Sequence, residues 1–280
     1  MRPSVVFRTA LSVLFTGMLA GTVHAQSALD LHNPIPGGSV VVILGTVEGP
    51  KPVVKFGKRR ILVKRHQSHW IALLGLPLDT VPGRYIVSIN QGDNEPEIRD
   101  FVVKPHRYPV KRVVEHARRR ETSGSKVQSA LSEHKKILVD MASLWSEELA
   151  ADLPLVPPVT GTQIGEYGSR RVKGNQVTTA MDYVEFVAKP NAVVRAPGAG
   201  LVHALLPIDD TGVVMCIDHG MGLLSFIGPI EHTDVKEGAR VAKGAVLGTL
   251  LKDVSIPAHV IWYVALNQGF INPLFLVQQH

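Results

Sequence analysis

The chain has one cysteine, Cys216. A lone cysteine excludes an internal disulfide framework, so the fold must be held by its cores. The surrounding run "VVMCIDHG" reads as a buried strand, which makes Cys216 a core residue rather than a reactive thiol. Beyond residue 25 no apolar run is long enough to cross a bilayer. No internal repeat and no low-complexity tract is evident. With 280 residues and 45% apolar content, the chain can build one large domain or two smaller ones.

The first 25 residues stand apart. Arg2 and Arg8 precede an apolar run from about Ala10 to Ala20, and Val23-His24-Ala25 has the small-x-small form of a cleavage site. This predicts a secretory signal peptide over 1–25, an exported chain, and residence in the periplasm or cell envelope. The competing reading, an uncleaved anchor, needs a longer run. Arg2 and Arg8 carry two charges of the formal +6, so the chain beyond residue 25 keeps +4. Basic clusters occur at Lys58-Arg59-Arg60, Lys64-Arg65, Lys111-Arg112 and Arg118-Arg119-Arg120. For an exported protein these point to anionic envelope polymers, not to nucleic acid.

From Pro34 to about Tyr108, short β-type runs such as "GGSVVVILG", "HWIALLGLPL" and "GRYIVSIN" alternate with Gly/Pro turn signals. The pattern predicts a β-sandwich domain over 26–110. His66 and His69, read along one strand, point to opposite faces and form no metal pair. From Lys111 the period changes. Val127, Leu131, Leu138, Met141 and Trp145 recur at helical spacing, which predicts a helical connector over 111–152. "DLPLVPPVTG" ends it. The chain is then β-rich over 160–280, so the fold class is mainly β: sandwich, helical connector, and a C-terminal β-sheet domain.

Near the C-terminus stands "AHVIWYV". Two histidines one residue apart on a strand point to one face and can share a metal or a substrate. Here only His259 is present, and Ile261 holds the second position.

Several runs, in order, resemble the lysostaphin/LytM-type zinc metallopeptidase family, whose members cut peptide cross-links of peptidoglycan. "EYGSRR" (166–171) resembles the family's opening Phe-Gly-x-Arg motif, and "VVRAPGAGLV" its Pro-Val-x-Ala-x-x-x-Gly-x-Val strand. "VVMCIDHGMGLLS" resembles its Val-x-x-Asp-His-Gly-x-Gly strand, "VKEGARVAKGAVLG" its glycine-turn segment, and "HVIWYVALNQGFINP" its His-x-His-Trp ending. The resemblance covers about 115 residues and implies a LytM-type domain over 160–280.

In that family a His-x-x-x-Asp motif and the second histidine of His-x-His bind zinc and leave a position for water. Carried onto this chain without gaps, the first zinc histidine falls on Met181 and the zinc aspartate on Glu185; a shifted alternative gives Thr178 and Asp182. The assisting histidine falls on Pro229, with His232 out of register. His259 matches the first histidine of the pair, and Ile261 replaces the second. His219 matches a histidine that does not ligate zinc in the family. "GTLLKDVSIPAH" lacks the glycines of the active-site wall. The resemblance therefore implies a degenerate member with no catalytic residues beyond the remnant His259, no metal site and no zinc cofactor. Its binding groove would be lined by Met181, Glu185, Pro229, His259 and Ile261.

The function implied is an exported, catalytically inactive LytM-type protein. It would bind and regulate a peptidoglycan hydrolase (an amidase or an active LytM-type paralogue) or the cell-wall machinery, or bind peptidoglycan itself. It would bind no nucleic acid and keep no membrane span after cleavage. Two alternatives stay open: an active zinc metalloendopeptidase with unconventional ligands drawn from His219, His232 and His259, and a passive peptidoglycan-binding module held by its basic patches.

Overall fold

The computed structural model describes residues 28–92, 95–112, 134–147, 149, 152–173, 176–208, 212–250 and 258–277. The expected signal peptide lies outside the described residues, as do Val127 and Leu131 of the expected helix.

The N-terminal runs pair as their alternation dictates. β1 (Ser39–Thr46), β2 (Val53–Phe56), β3 (Arg59–Arg60), β4 (Leu62–His66), β5 (His69–Gly75), β6 (Gly83–Asn90) and β7 (Glu97–Val103) form two sheets, ordered β1-β5-β4 and β3-β2-β6-β7. Val40, Leu74, Ala72, Val63, Val87 and Phe101 fill the space between them. His66 and His69 do not share a strand. Gln67, at φ 53, and Ser68 turn the chain, so the two histidines are cross-strand partners, which face the same side. The turn chemistry of the intervening pair was the missed signal.

The sheet β1-β5-β4 is apolar on both faces. While one face fills the sandwich, Val41, Leu62, Ile71 and Leu73 on the other join the core of the C-terminal domain. The two domains therefore share one continuous apolar interior. Gly75 marks one close approach, since a Cβ there would lie 2.6 Å from the Leu266 carbonyl oxygen.

The connector differs from the sequence expectation at both ends. β8 (Val110–Arg112) is a strand, and among the described residues the helix is α1 (Lys135–Met141). Trp145 lies beyond it in a loop. The residues of β8 find unpaired backbone groups in the C-terminal domain, and ladder bonds win over helical period there.

The C-terminal domain adds β9 (Thr162–Gly165), β10 (Arg170–Lys173), β11 (Gln176–Val177), β12 (Val184–Ala188), β13 (Val193–Arg195) and β14 (Gly200–Ile208). It continues with β15 (Gly212–Gly220), β16 (Leu223–Ile230), β17 (Arg240–Val241), β18 (Val246–Thr249), β19 (Ala258–Leu266) and β20 (Gly269–Ile271). The main sheet runs β17-β14-β15-β16-β19-β12-β9, with β20 on β19. β10 pairs β11, and pairs β8 in parallel. One face of the main sheet carries Trp262, Val260, Val264, Met215 and Ile217 into the shared interior. The other carries Cys216, Phe226, Ile261 and Tyr263 beneath α1. Cys216 is buried there, and burial pushes its thiol pKa far up, as expected of a core residue.

The shared interior predicts coupled unfolding. Leu73→Ala, at a fully buried position between the domains, is expected to cost about 2–5 kcal/mol. Calorimetry should give one transition whose midpoint falls. Two separate transitions, with the later one unmoved by the substitution, would contradict the shared core.

Candidate functional site

The register of two strands builds the site. On β12 and β19, Glu185 faces Ile261 and Val187 faces His259. Side chains alternate across a sheet, so these four share one face. Glu185 is only 5% exposed. A carboxylate so deeply placed needs compensating partners. Its Oε1 accepts from His259 Nδ1 at 2.8 Å, and its Oε2 lies 3.3 Å from Arg171 Nη2. Both oxygens are engaged.

Arg171 reaches the face from β10. The backbone of β10 is fixed on one side by β8, where Arg171 pairs Lys111, and on the other by Thr178 Oγ1, which accepts the Arg171 N–H at 3.0 Å. Gly165 lets β9 pass beside the site, because a Cβ there would sit 2.7 Å from Glu185 Cβ and 2.8 Å from Met181 Cε. Gly168, in "EYGSRR", holds φ +77, and its would-be Cβ lies 2.2 Å from the Tyr108 ring.

Met181 and Ile261 are buried in the second core with Leu138 of α1 and Ala142, which caps its C-terminal end. The Ser169 hydroxyl donates to the Glu166 carbonyl at 2.7 Å and lies 3.6 Å from the Met181 sulfur. Lys135, at the start of α1, pairs with Asp182, and its ammonium lies 4.8 Å from the Tyr263 ring centre and 4.2 Å from that of Phe270. The helix thus seals the apolar part of this face. Pro229 is buried on β16, one residue beyond Gly228, whose register partner is Ile261. The structure therefore gathers Met181, Glu185, His259 and Ile261, buries all but His259, and leaves Pro229 on the neighbouring strand. Thr178, of the shifted alternative, caps the Arg171 backbone, while Asp182 pairs with α1.

The other histidines sit elsewhere. His219 is fully buried. Its Nδ1 donates to the Ala199 carbonyl at 2.8 Å, and its Nε2 accepts from the Ser225 hydroxyl at 2.9 Å. Ser225 Oγ in turn accepts from Trp262 Nε1 at 3.2 Å. Each polar atom of the chain is satisfied with a neutral imidazole, so His219 is a core hydrogen-bonding residue. Burial pushes its pKa below the ordinary 6.5, with the Ala199 bond and Asp218 opposing. His232 is largely exposed beside Glu231.

The donor set does not fit a catalytic divalent ion. Three protein ligands with an open position are needed. Here two adjacent side chains offer donors, Glu185 is engaged at both oxygens, and the next positions are a thioether and an alkyl group. Among the described residues no group of three or more His, Cys, Asp or Glu side chains lies together. The charge that offsets Glu185 comes instead from Arg171, which the sequence reading did not single out. Its place as the last residue of "EYGSRR" was the available signal.

Comparison with known proteins places these elements. Peptidase family M23 matches residues 179–273, and the peptidase family M23 N-terminal domain matches residues 32–104. A crystal structure from Pseudomonas aeruginosa assigned to peptidase M23 is 25% identical, covering 89% of this chain and 96% of that one, with a TM-score of 0.67. Helicobacter pylori Csd3 is 14% identical over 88% of this chain and 78% of its own, at TM-score 0.40. A zinc containing peptidase from Vibrio cholerae is 12% identical over 77% and 85%, at 0.39. None of the curated proteins compared with the chain matches it.

Two outcomes follow. Met181→His and Ile261→His, measured without added metal, should each weaken the fold by about 1–3 kcal/mol, because each buries a polar ring without a partner. An unchanged melting temperature would show that the pocket is not filled. For His219, whose folded pKa is depressed, stability is fully present above pH 6.5 and is lost as pH falls below it. Denaturant titrations between pH 7 and pH 5 should show this slope, and His219→Gln should flatten it. Equal slopes in the two proteins would contradict a neutral buried imidazole.

Proposed function

This chain belongs to peptidase family M23, and from that premise we propose that it is a catalytically inactive LytM-type protein of the cell envelope that regulates a peptidoglycan hydrolase. The observation that carries the reading is the state of Glu185. Carried over without gaps, the resemblance puts the family's zinc aspartate at Glu185. Here it is held by His259 and Arg171, while the flanking ligand positions are the buried Met181 and Ile261. A scaffold kept whole around a dismantled metal pocket has its surface left to work with, and surfaces bind partners. Export to the envelope rests on the N-terminal run of 1–25 and puts the protein beside its proposed targets.

The closing of the face by α1 constrains how the partner binds. A partner that uses the Glu185 face must displace the helix and its Lys135–Asp182 pair. A partner that uses the sandwich or the outer surface need not.

The test uses the purified chain lacking residues 1–25. With isolated peptidoglycan alone, no soluble fragments should appear. When the chain is added to an amidase or an active LytM-type hydrolase from the same envelope, the rate of fragment release should change several-fold. Chelator-sensitive digestion by the chain itself, or no effect on any envelope hydrolase, would contradict the reading.

A further inference from the structure

Away from the Glu185 face, a trench runs where both domains meet the loop after α1. Three cavities of about 420, 230 and 790 Å³ succeed one another along it. Arg60 and Trp145 line both the first and the second, and Lys58 and Gln268 both the second and the third. The walls are strongly cationic. Lys51 lines the first cavity, Lys58 the second and third, and Arg59 the third. Glu147, the carboxylate that lines the first cavity, is already paired with Arg60. Among the described residues no carboxylate forms an ion pair with Lys51, Lys58 or Arg59.

Two neutral groups point the same way. Trp145 Nε1 and Asn267 Oδ1 are buried without a hydrogen-bond partner among the described residues, and both side chains line the second cavity. One is a donor and the other an acceptor. The Arg60 guanidinium lies 4.8 Å from the centre of the Trp145 ring and holds the indole in place. Lys51 is partly desolvated, and burial lowers its pKa against the pull of Glu147. Its Nζ meets the Met221 sulfur at 3.3 Å, a weak acceptor. Holding like charges together beside unsatisfied polar atoms costs stability, and such costs concentrate where a ligand binds.

We propose that this trench binds an extended peptide bearing several carboxylates, the chemistry of a peptidoglycan stem peptide. The cations are spread along the trench rather than focused on one point, which suits separated carboxylates better than a single phosphate. Trp145 N–H and the Asn267 carbonyl match the carbonyl and amide N–H of a peptide backbone. The length of the trench suits a chain. That the peptide comes from peptidoglycan rests on the envelope role proposed above; the acidic-peptide chemistry does not.

The probe is a synthetic N-acetylated stem pentapeptide, Ac-Ala-γ-D-Glu-meso-diaminopimelyl-D-Ala-D-Ala, which carries three carboxylates and one amine, and its counterpart with every carboxylate amidated, titrated calorimetrically into the chain lacking residues 1–25. The free peptide should bind, and the amidated one should bind at least about tenfold more weakly. Lys58→Gln, at the surface, and Lys51→Gln should each weaken binding severalfold with unchanged melting curves. Trp145→Phe should weaken it while keeping the ring. The proposal is overturned if the free peptide does not bind, if amidation changes nothing, if the variants bind like the parent, or if an oligonucleotide of equal charge binds as tightly. The hydrolase measurement reads a change in another enzyme's rate, while the calorimetry reads binding of an isolated peptide to this chain alone, so a failure here leaves that reading standing, and a failure there leaves the acidic-peptide chemistry.

Discussion

A carboxylate enclosed in a protein interior must be compensated or it destabilises the fold, and Glu185 is compensated from two directions. His259 comes from the next strand of the main sheet. Arg171 comes from β10, outside that sheet, whose edge is held by β8. β8 is the exit of the N-terminal domain. This buried charge thus ties together the strand leaving the sandwich, the short sheet beside it and the centre of the C-terminal domain. Removing one partner of a buried pair costs about 3–5 kcal/mol. Against a total stability of about 5–15 kcal/mol, that is a large share.

The same contact decides the chemistry of the face. A metal needs lone pairs that point into an open position, and the Glu185 oxygens are committed to protein donors. Met181 and Ile261 are apolar, and α1 packs over them. Loss of ligands and closure of the face support each other, because a buried apolar patch attracts a helix and a covered patch cannot bind water or metal. The other face of the main sheet is just as closed, against the sandwich. What remains available is the outer surface, which carries the cationic trench around Trp145.

Much of this was legible from residues. The sandwich runs correspond to β1–β7 because each alternates or stays apolar between Gly/Pro turns. The C-terminal landmarks carried the family resemblance, and the resemblance implied the ligand positions Met181, Glu185, His259 and Ile261, with Thr178 and Asp182 as the shifted alternative. Other features were not legible. The periodicity of a connector cannot say that its first residues add a strand to another domain, or that its helix will cover the degenerate pocket. The motif that holds Arg171 was legible but its role was not, because that role arises from the parallel pairing of β8 with β10, a contact between distant segments. His66 and His69 were misread because one turn changes which residues share a face. The unpartnered indole of Trp145 depends on three segments meeting, and no local pattern announces it.

The most direct test of the central claim is a diffraction experiment at the zinc absorption edge on crystals grown with excess zinc. The account predicts no anomalous peak within bonding distance of Glu185 or His259, with the Arg171 guanidinium still beside the carboxylate. A full-occupancy peak bound by Glu185 and His259, with Arg171 turned away, would contradict it.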